Sequence, residues 1–512
     1  MDATAANLQN RVRIIIGVAL GSFLAALDTT ILSTVMPTII GELEGLGLYS
    51  WVFSVYMIMS AVSMPVWGRV SDIVGKKKMF VATVLVFLLG SVLCGLSGTI
   101  IHLIVFRGIQ GIGAGGLSSI PFALISTVFP SNERGKALGF LTATWGVSSI
   151  IGPMLGSLIV TQLDWRWVFY VNVPGGTAAV LMVLRWFRED HHASRESIDY
   201  GGAALLCITI VSLLLVCLES GKGNTDVART LGYAAIFLAS GVAFVVQEKR
   251  TPYPILQMEF FRRRAFWTGN LLGFLISFTM FGMIAYLPLL TQNLRGGTAV
   301  HTGVVMTAMS LSWSAASFVA GRLVHRVGEN VMIRAGMPVM ICGLVAGVLT
   351  DFDSSYWQLA VCGMLTGLGM GMQTPSLVLS VQNALDQRHI GIATSSQMLS
   401  RTIGGAVGIS VTGAVVSGAM AAGFRLPGVA RALTSLPASI GGRGVEPQEL
   451  LSAGMQDLIP ARLLEVIKTV FVDAVQTGFL VGIAVIVVGM AVSLLLPPSS
   501  LHRREPAPPA VV

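Results

Sequence analysis

Residues 68–78 read GRVSDIVGKKK and residues 321–331 read GRLVHRVGENV, with Gly, Arg and Gly recurring at matching offsets as Gly68/Gly321, Arg69/Arg322 and Gly75/Gly328. Each stretch follows an apolar run of roughly 20 residues, the length that crosses a bilayer as a helix. Self-similarity of this kind is what a duplicated transporter leaves behind. The first copy follows the second apolar run and the second follows the tenth. Two further spans are therefore inserted between six-helix halves, at about 200 to 249.

The rest of the chain agrees with that reading. Its 512 residues are 54% hydrophobic and only 11% charged, with a mean hydropathy of +0.76, too apolar for a soluble globule. Apolar runs recur up to Leu496 and are too long for the alternating strands of a membrane barrel. The expected fold is all-α and membrane-integral, with about fourteen spans, the first at 13–38 and the last two at 391–420 and 469–496. It divides into an N-terminal six-helix bundle (1–190), two inserted helices (191–255) and a C-terminal six-helix bundle (256–512). The last part includes a long outside segment, 421–468, and a Pro-rich, disordered tail, 497–512. In the outside segment Leu450, Leu451, Leu458, Leu463 and Leu464 lie at near-helical spacing, which fits a helix on the outer leaflet, a cap or a solvated loop.

The net charge of +8 is a topology signal and not a nucleic-acid footprint. Lys76, Lys77, Lys78, Arg134, Lys136, Arg262, Arg263, Arg264, Arg322, Arg326, Arg503 and Arg504 all fall on one side of the predicted spans, which the positive-inside rule makes cytoplasmic, with both termini. Arg11 and Arg13 precede the first apolar run, but no small-residue cleavage site stands out, so that span is read as retained. The cysteines, Cys94, Cys207, Cys217, Cys342 and Cys362, lie within apolar runs and imply no disulfide framework. There is no G-x4-G-K-[ST] and no H-E-x-x-H, and an enzyme is the disfavoured class.

One acid lies deep in a span. Asp28, in FLAALDTTILSTVMP (23–37), carries a charge that costs about 2.5–3.5 kcal/mol at mid-bilayer. By helical rise from Ile14 it lies about 9 Å below the outer face, and Arg107, counted from Ile101, lies about 9 Å below the same face. A guanidinium favours the ionised carboxylate and burial favours the neutral acid, opposing effects that suit reversible protonation; the alternative is a static pair tethering two helices. Arg401, about 16 Å into its span from Ile390, is a second buried cation that either attracts an anion or anchors packing.

Several motifs, taken in order, resemble the major facilitator superfamily and its fourteen-span drug:proton antiporter family, the quaternary-ammonium and multidrug resistance branch. GRVSDIVGKKK is similar to the loop motif G-x-L-x-D-R-x-G-R-K; RGIQGIGAG (107–115) matches R-x-x-Q-G-x-G; GVSSIIGPMLGS (146–157) resembles the exporter motif ending G-P-x-x-G-G, with Ser157 in place of the last glycine. LDTTILSTVMPTI (27–39), DWRWVFYVNVPGG (164–176) and YLPLLTQ (286–292) resemble marks of the same branch. The resemblance implies alternating access around a midplane cavity, with Asp28 and Arg107 on cavity-lining helices and in proton coupling. It implies a conformational latch at Gly68, Asp72, Gly75 and Lys76, with a solvated turn an equally good reading for Lys76 to Lys78, and His325 replaces the aspartate in the second copy. Gly146, Gly152, Pro153 and Gly156 would let one helix bend and seal the cavity where the halves meet, although plain helix packing also explains them. Phe281, Tyr286, Trp313, Gln373, Gln397 and Arg401 are candidate cavity liners.

The function expected from these readings is proton-coupled export of amphipathic, cationic or lipophilic compounds across the plasma membrane by a monomer, with no cofactor and no metal. Export of one dedicated metabolite, lipid or siderophore is the alternative.

Overall fold

The computed structural model describes residues 2–43, 48–189, 199–220, 226–252, 254, 256–294, 299–426, 429 and 459–497. In a bilayer every backbone N–H and C=O must be satisfied within the protein, and the chain meets this with helices. These are α1 (Asp2–Leu43), α2 (Tyr49–Val74), α3 (Lys76–Gly95), α4 (Ile100–Val128), α5 (Ser131–Gln162), the short α6 (Trp167–Tyr170), α7 (Asn172–Trp186), α8 (Tyr200–Ser220), α9 (Val227–Arg250), α10 (Arg264–Asn293), α11 (Ala299–Val327), α12 (Glu329–Val348), α13 (Tyr356–Asn383), α14 (Ile390–Phe424) and α15 (Ala461–Ser493). Among the described residues, thirteen segments are long and apolar enough to cross a membrane, α6 and α7 counting as one. α13 is long enough and carries no charge, but Gln358, Thr366, Gln373, Thr374, Ser376 and Ser380 lower its average; it is buried among α10, α11 and α12.

The helices pack in two groups. α1 lies on α5 and α7, while α4 lies on α2 and α3; in the second group α13 lies on α11 and α12, and α10 lies on α14 and α15. The groups meet where α5 crosses α11 and α2 crosses α14. α8 and α9 pair with each other, and α8 touches both α2 and α14.

The internal repeat has a backbone cause. Gly75 (φ 111°) and Gly328 (φ 91°) are the positive-φ glycines of the described chain, a conformation that side chains rarely adopt. Each ends one helix and starts the next: Gly75 N–H donates to Ser71 O (3.1 Å) and Gly328 N–H to Val324 O (2.9 Å), and each glycine carbonyl then accepts from the residue four further on.

Boundaries near the C-terminus differ from the sequence reading in a way that bears on the outside segment. α14 runs on to Phe424 and α15 begins at Ala461, so the stretch between the last two helices is shorter than 421–468. Leu463 and Leu464 belong to α15, with Leu463 buried. Leu450, Leu451 and Leu458 lie outside the described residues, as do most of the segment between those helices and all but residue 497 of the tail.

Candidate functional site

Asp28 on α1 and Arg107 on α4 meet. Arg107 Nη1 donates to Asp28 Oδ2 (2.5 Å), and neither side chain has any exposure. The same Nη1 donates to Gln110 Oε1 (2.8 Å), and Gln110 Nε2 donates to Asp28 Oδ1 (2.8 Å). Asn172, the first residue of α7, donates from Nδ2 to Asp28 Oδ1 (3.3 Å) and to Ser91 Oγ on α3 (3.0 Å). The guanidinium also stacks on Tyr56 of α2, with its Cζ 3.9 Å from the ring centroid. One carboxylate thus draws together α1, α2, α3, α4 and α7. All its partners are donors, the set that suits an ionised carboxylate. Arg107 Nε and Nη2 and Asn172 Oδ1 are buried without a hydrogen-bond partner among the described residues, leaving capacity for a rearranged network. Asp28 does not face an open passage in this conformation; the carboxyl is enclosed by the first group of helices.

Gln110 was within reach of sequence reasoning: it lies three residues after Arg107, on the same helix face. Asn172 had no such signal, because the helix is interrupted at Val171 between α6 and α7 and the depth of the residue does not follow from counting.

The second site joins the two groups of helices. Asp72, near the end of α2, accepts from the backbone N–H of Gly391 (2.8 Å) and Ile392 (2.9 Å) at the start of α14, and from Lys76 Nζ (3.2 Å). The first N–H groups of a helix lack intrahelical partners and carry its partial positive charge, so a carboxylate fits there. Gly68 lies against Gly391 and Ser395, where any side chain would collide. Lys76 and Lys77 donate their backbone N–H groups to the Glu189 carboxylate (2.8 Å each), which fixes the start of α3 to the end of α7. Nearby, Ser126 Oγ on α4 donates to Gln382 Oε1 on α13 (2.5 Å), and Gln382 Nε2 donates to Thr394 Oγ1 on α14 (2.9 Å). Glu189, Ser126 and Gln382 carried no local sign of these pairings.

At the α5–α11 crossing Gly135 and Gly139 lie against Gly321, and Gly146 against Ser314. Beyond Gly146 the same face of α5 continues through Pro153 and Ser157, both exposed, with Met154 70% exposed beside them; on α11 it continues through Thr307 and Gly303 to Val300, which is 74% exposed. The helices are zipped at the end that carries Asp72 and parted at the other. Gly146 thus lies between the two groups, whereas Gly152 and Gly156 pack on Thr30 and Ile31 of α1, inside the first group.

The candidate cavity residues divide. Phe281 packs on Gly405, the Tyr286 hydroxyl lies near Gly413, and Trp313 on α11 is partly buried with its Nε1 unpartnered among the described residues. Gln373 and Gln397 are fully buried inside the second group, Gln373 against Gly336 of α12 and Gln397 against Gly273 of α10. In this conformation neither amide is open to a passage: polarity within a span does not say how far the residue is enclosed. Arg401 is partly exposed beside Gln397. Among the described residues no group of three or more His, Cys, Asp or Glu could hold a metal.

Comparison with known proteins gives a match to the Major Facilitator Superfamily over residues 18–409. The chain is 33% identical to the multidrug transporter protein MdtP of Bacillus subtilis, covering 97% of this chain and 94% of that protein. It is 30% identical to multidrug resistance protein 3 of the same organism, covering 97% and 96%. Among solved structures it is similar to the human organic anion transporter MFSD10 (TM-score 0.61, 14% identity, 93% of this chain and 99% of that one). It is also similar to a bacterial homologue of the human lysosomal transporter Spinster (TM-score 0.55, 16% identity, 97% and 99%).

Proposed function

Because the chain belongs to the Major Facilitator Superfamily, and is a secondary transporter and not an enzyme, we propose that it is a proton-coupled multidrug efflux antiporter of the plasma membrane with both termini in the cytoplasm. Its two groups of helices rock around the crossings at α2–α14 and α5–α11. The conformation described is closed on the side of the lysine-rich turn at 76–78, the cytoplasmic side in this reading, and parted on the other. The names of the Bacillus relatives support a broad range of amphipathic cargo.

The observation that carries the proton assignment is the enclosed carboxylate of Asp28 among donors only. A proton added to Asp28 would place a fourth donor where Arg107, Gln110 and Asn172 already point, so protonation and the separation of Arg107 go together. That ties a change of charge to a movement of α4 against α1. Access of the proton requires the network to open first, since the carboxyl is sealed here.

The test is efflux from proteoliposomes under an imposed pH gradient. Asp28→Asn is expected to lose gradient-driven export, with Asp28→Glu retaining part of it. Removing one member of a buried pair costs about 3–5 kcal/mol, so the charge-conserving variant serves as the control for folding. Gradient-driven export by folded Asp28→Asn overturns the assignment.

A further inference from the structure

α14 is enclosed from Ile390 to Met398 and becomes accessible from Leu399 onward. Arg401 stands just past that boundary, next to Thr402, whose hydroxyl reaches Met64 Sδ of α2 at 4.0 Å. In contrast to Arg107, its guanidinium has no carboxylate within ion-pair distance among the described residues; the polar contact it makes there is to Met398 Sδ at 3.9 Å, a weak acceptor. One turn earlier, Gln397 has no exposure, and neither its Oε1 nor its Nε2 has a partner among the described residues. Both side chains occupy the space that Gly273 of α10 leaves. A Cβ there would stand 2.8 Å from Gln397 Nε2 and 3.4 Å from Arg401 Cγ. The neighbouring Asn270 is already engaged, its Oδ1 accepting from Ser396 (3.2 Å) and Ser400 (3.1 Å).

A lone cation at this depth and an orphan amide beside it are each unfavourable, and one anion would satisfy the guanidinium and the amide N–H together. We infer that Arg401 and Gln397 form an anion subsite of the second helix group, which takes the carboxylate of an amphipathic cargo through N–H donors of the guanidinium and of the amide. Phe274, whose backbone lies against Gly404, and Phe281, whose ring lies against Gly405, are both partly exposed and offer the apolar body a wall on α10. The inference rests on the export reading in one respect, that the carboxylate belongs to cargo. It makes zwitterionic and acidic amphiphiles ligands alongside the cationic ones.

The experiment measures binding by fluorescence polarisation with purified full-length protein, using rhodamine B, which carries a carboxylate, and its ethyl ester, which does not. Wild type is expected to hold the acid roughly tenfold more tightly than the ester, the size of one charge-assisted contact. Decanoate should displace the acid, and inorganic phosphate at the same concentration should not. Arg401→Gln should bring the acid-to-ester ratio close to one and Arg401→Lys should leave it intermediate. Equal affinities in wild type, an unchanged ratio in Arg401→Gln, or displacement by phosphate as effective as by decanoate overturns the inference. If Arg401→Gln does not fold, the wild-type ratio and Arg401→Lys decide. Binding is read without a gradient, so a protein that binds with the expected ratio but does not export would overturn the export reading alone.

Discussion

The two helix crossings that join the halves are built from the same repeat and are held differently. At α2–α14, Gly68 permits the approach and Asp72, four residues on, binds the free N–H groups of Gly391 and Ile392. At α11–α5, Gly321 permits the same approach, but His325 stands at the fourth position and its Nδ1 has no partner among the described residues. The reason lies in where the partner helix begins. α14 starts at Ile390, one residue before Gly391, so its N–H groups there are free; α5 starts at Ser131, four residues before Gly135, so the N–H of Gly135 is already inside its helix. One crossing has an electrostatic clasp, and the other has close packing and a neutral hydrogen bond from Ser314 Oγ to Ala143 O (3.2 Å).

The largest effect should come from adding bulk at the crossing that has no charged clasp. In Gly139→Val the new Cβ would stand 2.5 Å from Ser317 O and 2.9 Å from Gly321 Cα, backbone atoms that cannot swing aside. Overpacking of this kind costs about 3 kcal/mol, which shifts the closed population by roughly 100-fold. Spin labels at the exposed Lys136 and Arg326 should move apart, and export should fall with them. An unchanged distance distribution would remove packing as what holds this crossing.

A smaller effect is expected from removing the clasp. Asp72→Ala gives up a carboxylate at a helix N-terminus, worth about 2 kcal/mol in a buried setting, or roughly 30-fold in the ratio of closed to open. Labels at Lys78 and Arg388 report it. The smallest effect tests the explanation itself: His325→Asp should change the Lys136–Arg326 distances by less than about twofold in population, since α5 offers no free N–H at that position. A marked closing in that variant would show that the start of the helix is not what sets the two crossings apart.

Much of this was legible in the sequence for definite reasons. Apolar length gave the helices, and the Gly75/Gly328 correspondence gave the duplication because both glycines sit at a φ that few other residues tolerate. Equal depth made an approach of Asp28 and Arg107 geometrically open, since helical rise is constant. Residues whose meaning depends on a distant partner were not legible. Glu189 gains its role only when the end of α7 reaches the start of α3, and Gln382 only when α4, α13 and α14 converge. Gln373 and Gln397 showed their polarity but not how fully this conformation encloses them, and the last two helices outran their apolar cores because α14 and α15 pack on each other beyond them.

The contact of α8 with both α2 and α14 bears on the lipid around the protein. Leu206, Ile210 and Leu214 of α8 share one buried cluster with Ile58 and Val62 of α2 and with Ile392 and Ala393 of α14, and Ser410 Oγ donates to Cys217 O at 2.7 Å. That flank is roofed by an additional helical hairpin, whereas among the described residues no such hairpin covers the α5–α11 flank. A greasy solute diffusing within the leaflet therefore meets two dissimilar sides, one shingled over and one where the halves abut bare.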